Sequence, residues 1–409
     1  MRTGQTQLFV PGPTNLPETV RQAMNVPMQD MRAPDFGGLT IGILDDLKKI
    51  FRTETGRVMM FPGSGSGAWE AAISNTLSPG DKVLMARHGQ FSALWVEMAE
   101  RLGLDVEVID VPWGAGCPAQ EFARRLGADS NDEIKAVFVT HNETATGVTS
   151  DVAAVRRALD ESFHDALLFV DAVSSLASID FRMDDWGVDL AVTGSQKGLM
   201  LPAGLGMLAV SDKAMTASET ATMRRAYFEF SDMLRMNATG YFPYTPPTQL
   251  LHGLRKSLDR ILFDEGLDNV IARHHRLAEG VRRGVAAWGL DLVAESHRVH
   301  SDTVTAIRVP EGVDAREVIR IAYEEFNTSF GTGLGELNGK VFRIGHLGDM
   351  NEAMCLSALS VAEMALARAG AQIRFGSGVG AAQNWYARIE ASEASNDAPQ
   401  TARLTIAAE

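Results

Sequence analysis

From about residue 57 the chain alternates short runs of apolar, β-favouring residues with amphipathic stretches of helical period. This alternation restricts the fold more than any other feature, because each strand is followed by a helix that must cross back over the sheet. The outcome is an α/β fold with a mostly parallel sheet covered by helices on both faces. Strands are predicted at 58–61, 82–85, 105–111, 136–140, 167–171, 190–193 and 206–210, with helices such as 68–77 and 91–102 between them. The run GYFPYTPPTQ at 240–249 breaks the pattern with turn-forming pairs, and a long helical pattern over 250–288 leads away from the sheet. A second, smaller α/β unit then reads as strand 302–309, helix 314–325, strand 340–344 and helix 351–369. The expected division is an N-terminal arm at 1–20, a large domain at 21–290, a small C-terminal domain at 291–370 and a tail at 371–409. The tail shows no clear periodicity, and its 391–401 stretch is polar enough to be expected mobile.

Composition narrows the function classes. A chain of 409 residues with 45% apolar and 22% charged residues builds a large buried core and is neither disordered nor collagenous. Its 38 basic residues against 52 acidic ones leave a net charge of −14, a field that repels nucleic acid and anionic lipid, so neither is an expected partner. Two cysteines, Cys117 and Cys355, are too few for a disulfide framework or a four-cysteine zinc site, and fit a reducing cytosol. No metal site is expected. The N-terminal stretch lacks an apolar run of signal-peptide length, and the longest uncharged run, 198–211, is shorter than the roughly 20 residues a spanning helix needs. A cytoplasmic location and no membrane role are expected.

Three features bear chemistry. In FPGSGSGAWEAA the segment Gly63, Ser64, Gly65, Ser66, Gly67 follows a predicted strand and opens a helix, where exposed N–H groups and the helix dipole hold an anion of phosphate size. A purely structural turn or a dinucleotide site would read the same way. The latter lacks its usual acid at the end of the next strand, which runs Val83 to His88, and there is no Walker lysine. Asp171 ends the very apolar run ALLFVDA, where open α/β sheets place ligand-contacting residues; the ordinary alternative is a cap on a neighbouring turn. Lys197, in VTGSQKG, leaves a buried strand end among uncharged residues, a setting that lowers an amine's pKa and suits Schiff-base chemistry; a solvated surface lysine is the ordinary alternative.

A phosphate cradle, an acid and a lysine arriving in chain order at strand ends of one sheet meet the three needs of pyridoxal phosphate. Its phosphate must be anchored, its ring nitrogen paired with a carboxylate, and its aldehyde held by an amine. On DLAVTGSQKGLMLPAGLGML at 189–208 the chain resembles the class V aminotransferases. PGPTNLP, SGSGAWEAA, HNETATGV at 141–148, FVDAVSS, the YTP of 244–246 and FRIGHLG at 342–348 are similar to the alanine/serine/aspartate–glyoxylate branch of that family. The resemblance covers roughly residues 8–370 and implies fold type I of the pyridoxal-phosphate-dependent transferases.

The resemblance also implies roles. Lys197 holds the cofactor as an imine and then moves the substrate proton, while Asp171 keeps the ring nitrogen protonated. Ser64, Gly65 and Ser66, helped by Gln196, hold the phosphate. Phe91 and Val173 sandwich the ring, and Thr144 lies on its hydroxyl side. Tyr244 and Thr245 reach the phosphate of a second subunit, which implies a homodimer. Arg343 takes the substrate α-carboxylate, and Gly12, in the PGPTN turn, closes over the substrate. Where relatives carry a His-Arg pair this chain has Met31 and Arg32; Arg32 either reads a distal carboxylate such as that of aspartate or pairs with Asp30 or Asp35. His346 is a further substrate-side candidate, against the ordinary reading of a satisfied buried histidine. The implied activity is transamination from a small L-amino acid, serine or aspartate first and alanine next, to glyoxylate, giving glycine and a 2-oxo acid. A pyruvate-linked relative, a cysteine desulfurase and a nucleotide-dependent oxidoreductase are the alternatives. The desulfurase needs a mobile nucleophilic cysteine, whereas Cys355 falls within an apolar helix pattern.

Overall fold

The computed structural model describes residues 4–396. The chain opens on a short strand, β1 (Gln7–Phe9), before the large sheet begins. Strands β2 (Arg57–Gly63), β3 (Lys82–Arg87), β4 (Asp105–Asp110) and β5 (Ile134–Thr140) come next. A two-residue hairpin, β6 (Asn142–Glu143) with β7 (Val148–Thr149), hangs beyond β5, and β8 (Leu167–Asp171), β9 (Leu190–Gly194) and β10 (Gly204–Val210) complete the set.

The large sheet has the order β2-β10-β9-β8-β5-β3-β4, and every neighbouring pair is parallel except those made by β10, which opposes both β2 and β9. Strands such as β8 and β9 are buried at every residue, as a sheet covered on both faces requires. Helices Gly65–Thr76 and Gln90–Arg101 lie where alternation places them. Beneath the second of these an aromatic stack runs through the core: Trp95 meets Phe138 edge-on at 4.8 Å, and Phe138 stacks on Phe169 at 4.4 Å.

The smaller sheet joins β11 (Val304–Arg308), β12 (Thr328–Thr332) and β13 (Val341–Gly345) to the N-terminal strand, in the order β1-β12-β13-β11. Neither β1 nor β12 was expected. The first is three residues long and the second carries threonines and a glycine, so neither shows an apolar run; their partners supply the order. The helical pattern expected over 250–288 is two helices, Thr248–Asp259 and Leu267–Ala287, separated by a π turn and by Gly266 at φ +88°, a conformation glycine adopts without strain.

The tail corrects the expectation more sharply. Ser377–Asn396 is a helix, and it covers part of the 391–401 stretch expected to be mobile; the remainder of that stretch lies outside the described residues. It forms because it docks against the Leu267–Ala287 helix. Tyr386 donates to the Leu277 carbonyl at 3.0 Å and Trp385 to that of Arg276 at 3.1 Å, while a Cβ at Gly280 would stand 2.2 Å from the Tyr386 ring. Among the described residues no helix is long and apolar enough to cross a membrane, and no cluster of His, Cys, Asp or Glu could hold a metal.

Candidate active site

The carboxyl ends of β2, β3, β5, β8 and β9 share one edge of the large sheet, which is where open α/β sheets carry ligands. A cavity of about 570 Å³ lies there. It is lined by Ser64, Gly65, Ser66, Phe91, Thr144, Asp171, Val173, Gln196 and Lys197, together with Gly12 of the N-terminal arm, so the sequence candidates of the large sheet converge on it.

At the end of β2, Ser64 caps the Gly65–Thr76 helix and its Oγ accepts from Gly67 N at 3.3 Å. Ser64, Gly65 and Ser66 of this turn line the cavity. A Cβ on Gly65 would stand 2.7 Å from Val173, so only glycine lets the backbone lie this close to the cavity wall. Gln196 borders the same turn: a Cβ at residue 194 would lie 2.7 Å from its Oε1 and 3.3 Å from Gly65 N. Gln196 Oε1 is buried and has no hydrogen-bond partner among the described residues.

Asp171 ends β8, only 4% exposed, with a 2.8 Å bond from Val173 N and no ion-pair partner among the described residues. Burial, helped by the charge of Glu143, raises its carboxyl to about 7 against the pull of Val173 N–H and Lys197. The Trp69 indole faces this carboxyl and lowers it slightly, although its Nε1 meets no acceptor in hydrogen-bonding geometry. Lys197 is 8% exposed, and its ammonium donates to the Pro11 carbonyl. Burial first and the Arg343 guanidinium second lower this amine to about 8, opposed by Asp171 and Glu143. Gly12 bends over it at φ +117°, and a Cβ there would strike Lys197 at 2.6 Å.

Arg343 comes from β13 of the small sheet, 6% exposed, held by Nε to the Thr332 carbonyl at 2.8 Å and Nη1 to the Thr144 carbonyl at 2.9 Å. Its Nη2 keeps its donors free among the described residues. Thr144 itself donates through Oγ1 to Ser174 at 2.7 Å.

Four candidates lie elsewhere. Arg32 is exposed, with its backbone N–H on Asp30, and does not line the cavity. His346 is fully buried and satisfied by Thr305 Oγ1 at 2.9 Å and the Asp302 carbonyl at 3.1 Å, so the structural reading of that histidine holds. Tyr244 stacks on Tyr227 at 4.5 Å and donates to the Ala226 carbonyl, and Thr245 is exposed; neither lines the cavity of its own chain. Trp69, Asn142 and Ser174 line the cavity without having been singled out, although all three sit inside the quoted motifs.

These residues fit pyridoxal phosphate: an anion-accepting turn, a buried acid lacking a cationic partner, and a buried amine whose pKa is brought near neutrality. The fold and this donor set define a pyridoxal-phosphate-dependent aminotransferase. Residues 41–333 match the aminotransferase class-V family, and the chain belongs to it. It is 58% identical, over 97% of its length and 98% of the relative's, to a serine–glyoxylate aminotransferase of Hyphomicrobium methylovorum. It is 55% identical, over 95% and 98%, to an L-aspartate–glyoxylate aminotransferase of Paracoccus denitrificans. The crystal structure of pyridoxamine–pyruvate aminotransferase from Mesorhizobium loti superposes with a TM-score of 0.88 at 30% identity, over 95% of this chain and all of that one.

Proposed function

We propose that the protein transfers the amino group of a small L-amino acid, serine or aspartate first and alanine next, to glyoxylate, giving glycine and the matching 2-oxo acid. The observation that carries this reading is the meeting of Lys197 and Asp171 in one cavity, with Arg343 bonded to the carbonyl of its lining residue Thr144, in a chain more than half identical to two glyoxylate-linked aminotransferases.

Ser64, Gly65, Ser66 and Gln196 would hold the phosphate, Phe91 and Val173 would enclose the ring, and Thr144 would sit toward its hydroxyl. Bound there, pyridoxal phosphate supplies an aldehyde that condenses with amines and a protonated ring that draws electrons from the adjoining bonds. Asp171 offers its carboxylate to the ring nitrogen, since a buried acid without an ion pair gains most from a cation. The Arg343 fork, fixed by two backbone carbonyls, presents its free donors to the α-carboxylate and so orients the Cα–H bond. Lys197, carrying its amine near neutrality, accepts the Cα proton at Nζ and returns a proton when the oxo acid becomes an amine. The Pro11 carbonyl gives Nζ a resting acceptor. The reading includes a cytoplasmic homodimer in which Tyr244 and Thr245, which do not line their own cavity, serve the neighbouring one.

The experiment is a donor panel of serine, aspartate and alanine against glyoxylate, read as glycine formed. Glycine from serine or aspartate is expected; no glycine from any of the three overturns the reading.

A further inference from the structure

Glu143 is the acidic side chain that this mechanism does not use, and it is wholly buried at the wall of the site. A buried carboxylate needs compensation, yet among the described residues Glu143 pairs with no lysine, arginine or histidine. Its charge is met by donors instead. Oε1 and Oε2 take Phe91 N at 3.2 and 3.1 Å, Oε2 takes Ser92 N at 2.9 Å and Ser92 Oγ at 3.0 Å, and Oε1 takes Ala145 N at 3.1 Å. Phe91 and Ser92 belong to the first turn of the Gln90–Arg101 helix, which has no acidic residue in that turn and a glycine, Gly89, at its N-cap. The orphan N–H groups that a helix normally satisfies with its own cap are thus satisfied from another element. The fit is close: a Cβ at Gly89 would stand 2.3 Å from Glu143 Cγ.

The same carboxylate ties down its own turn through Ala145 N, and the Thr144 carbonyl of that turn receives Arg343 Nη1. One buried anion therefore joins the aromatic wall of the cavity to the turn that orients the carboxylate-binding arginine. We infer that Glu143 is a positioning residue: by capping the Gln90–Arg101 helix from the β6 hairpin it sets where the Phe91 ring lies against the cofactor. The inference rests on the proposed cofactor site and deepens it, for neither Phe91 nor Arg343 is held by its own element alone.

The test is a double-mutant cycle on cofactor affinity. Apo enzyme is titrated with pyridoxal phosphate for wild type, Glu143→Gln, Phe91→Ala and the pair, with melting temperature recorded for each. The visible circular dichroism of bound cofactor is recorded as well. If Glu143 acts through Phe91, each single change weakens binding by about tenfold, and the pair is no more than about twofold weaker than Phe91→Ala alone. Glu143→Gln also diminishes the visible dichroic band at saturating cofactor, which a merely structural role would leave intact. Additive losses, near a hundredfold for the pair, or an unchanged affinity and band in Glu143→Gln, overturn the inference. Should Glu143→Gln fail to fold, Ser92→Ala takes its place: it removes one donor to the carboxylate and is expected to weaken cofactor binding in the wild-type background only. Equal losses in both backgrounds, or none in the wild type, overturn the inference. A wild-type protein that binds no pyridoxal phosphate would instead sink the proposed function, so the two failures are distinguishable.

Discussion

Arg343 acts on Lys197 before either meets a ligand. Burial is the larger cause of the lowered lysine, and the guanidinium is the next; together they bring an amine of ordinary value 10.5 to about 8. The free base is the reactive form, so the rate at which apo enzyme captures pyridoxal phosphate as an imine should rise with pH and reach half its maximum near 8. Stopped-flow absorbance against pH checks this, and a midpoint near the ordinary lysine value contradicts the burial argument. Arg343→Ala removes the second cause, so its midpoint should lie higher than that of the wild type. The same variant should raise the amino-acid KM by about a hundredfold, the loss expected for a charge-assisted carboxylate clamp. It should leave cofactor content unchanged, because Arg343 is held by Thr332 and Thr144 and stands outside the phosphate turn. Loss of cofactor together with substrate affinity would place the arginine in a different role.

Elements were legible in the sequence where burial is continuous and opaque where order is borrowed. β8 and β9 are buried at every residue, and their apolar runs announce both the strands and the strand ends that carry Asp171 and Lys197. Glu143 left no such mark: an acid in a polar loop motif looks solvated until the helix it caps is seen. The Ser377–Asn396 helix was missed for the same reason, since its order comes from residues outside it. Glu363, 3% exposed, accepts from Trp288 Nε1 at 3.0 Å, Gly376 N at 2.7 Å and Gly378 N at 2.8 Å, at the point where this helix begins. Glu363→Ala would leave those donors buried and unpaired, at a cost of about 2–4 kcal/mol. Urea unfolding should show that loss as a lower midpoint, with the per-site turnover of the folded enzyme unchanged because the helix is remote from the cavity. A variant as stable as the wild type would mean the helix is held by Trp385 and Tyr386 alone.

Across the whole molecule the site is a seam. β1 adds a parallel strand to β12 of the small sheet, and a few residues later Pro11 accepts the Lys197 ammonium while Thr14 binds the Gln196 and Lys197 carbonyls. Arg343 crosses the other way, from the small sheet to Thr144. Among the stretches that this seam does not gather is the YTP run, whose Tyr244 and Thr245 do not line their own cavity. If they complete a neighbouring cavity, two damaged chains can repair each other. In a heterodimer of Lys197→Ala with a Tyr244→Ala, Thr245→Ala chain, one cavity carries both lesions and the other draws an intact lysine from one chain and an intact YTP run from its neighbour. Random reassortment of equal amounts makes half the dimers mixed, each with one sound cavity, so the mixture should recover about a quarter of wild-type activity. Each parent alone should remain far lower. If the two residues served their own chain, every cavity in the mixture would contain a lesion, and unfolding and refolding the parents together would return only the parental average.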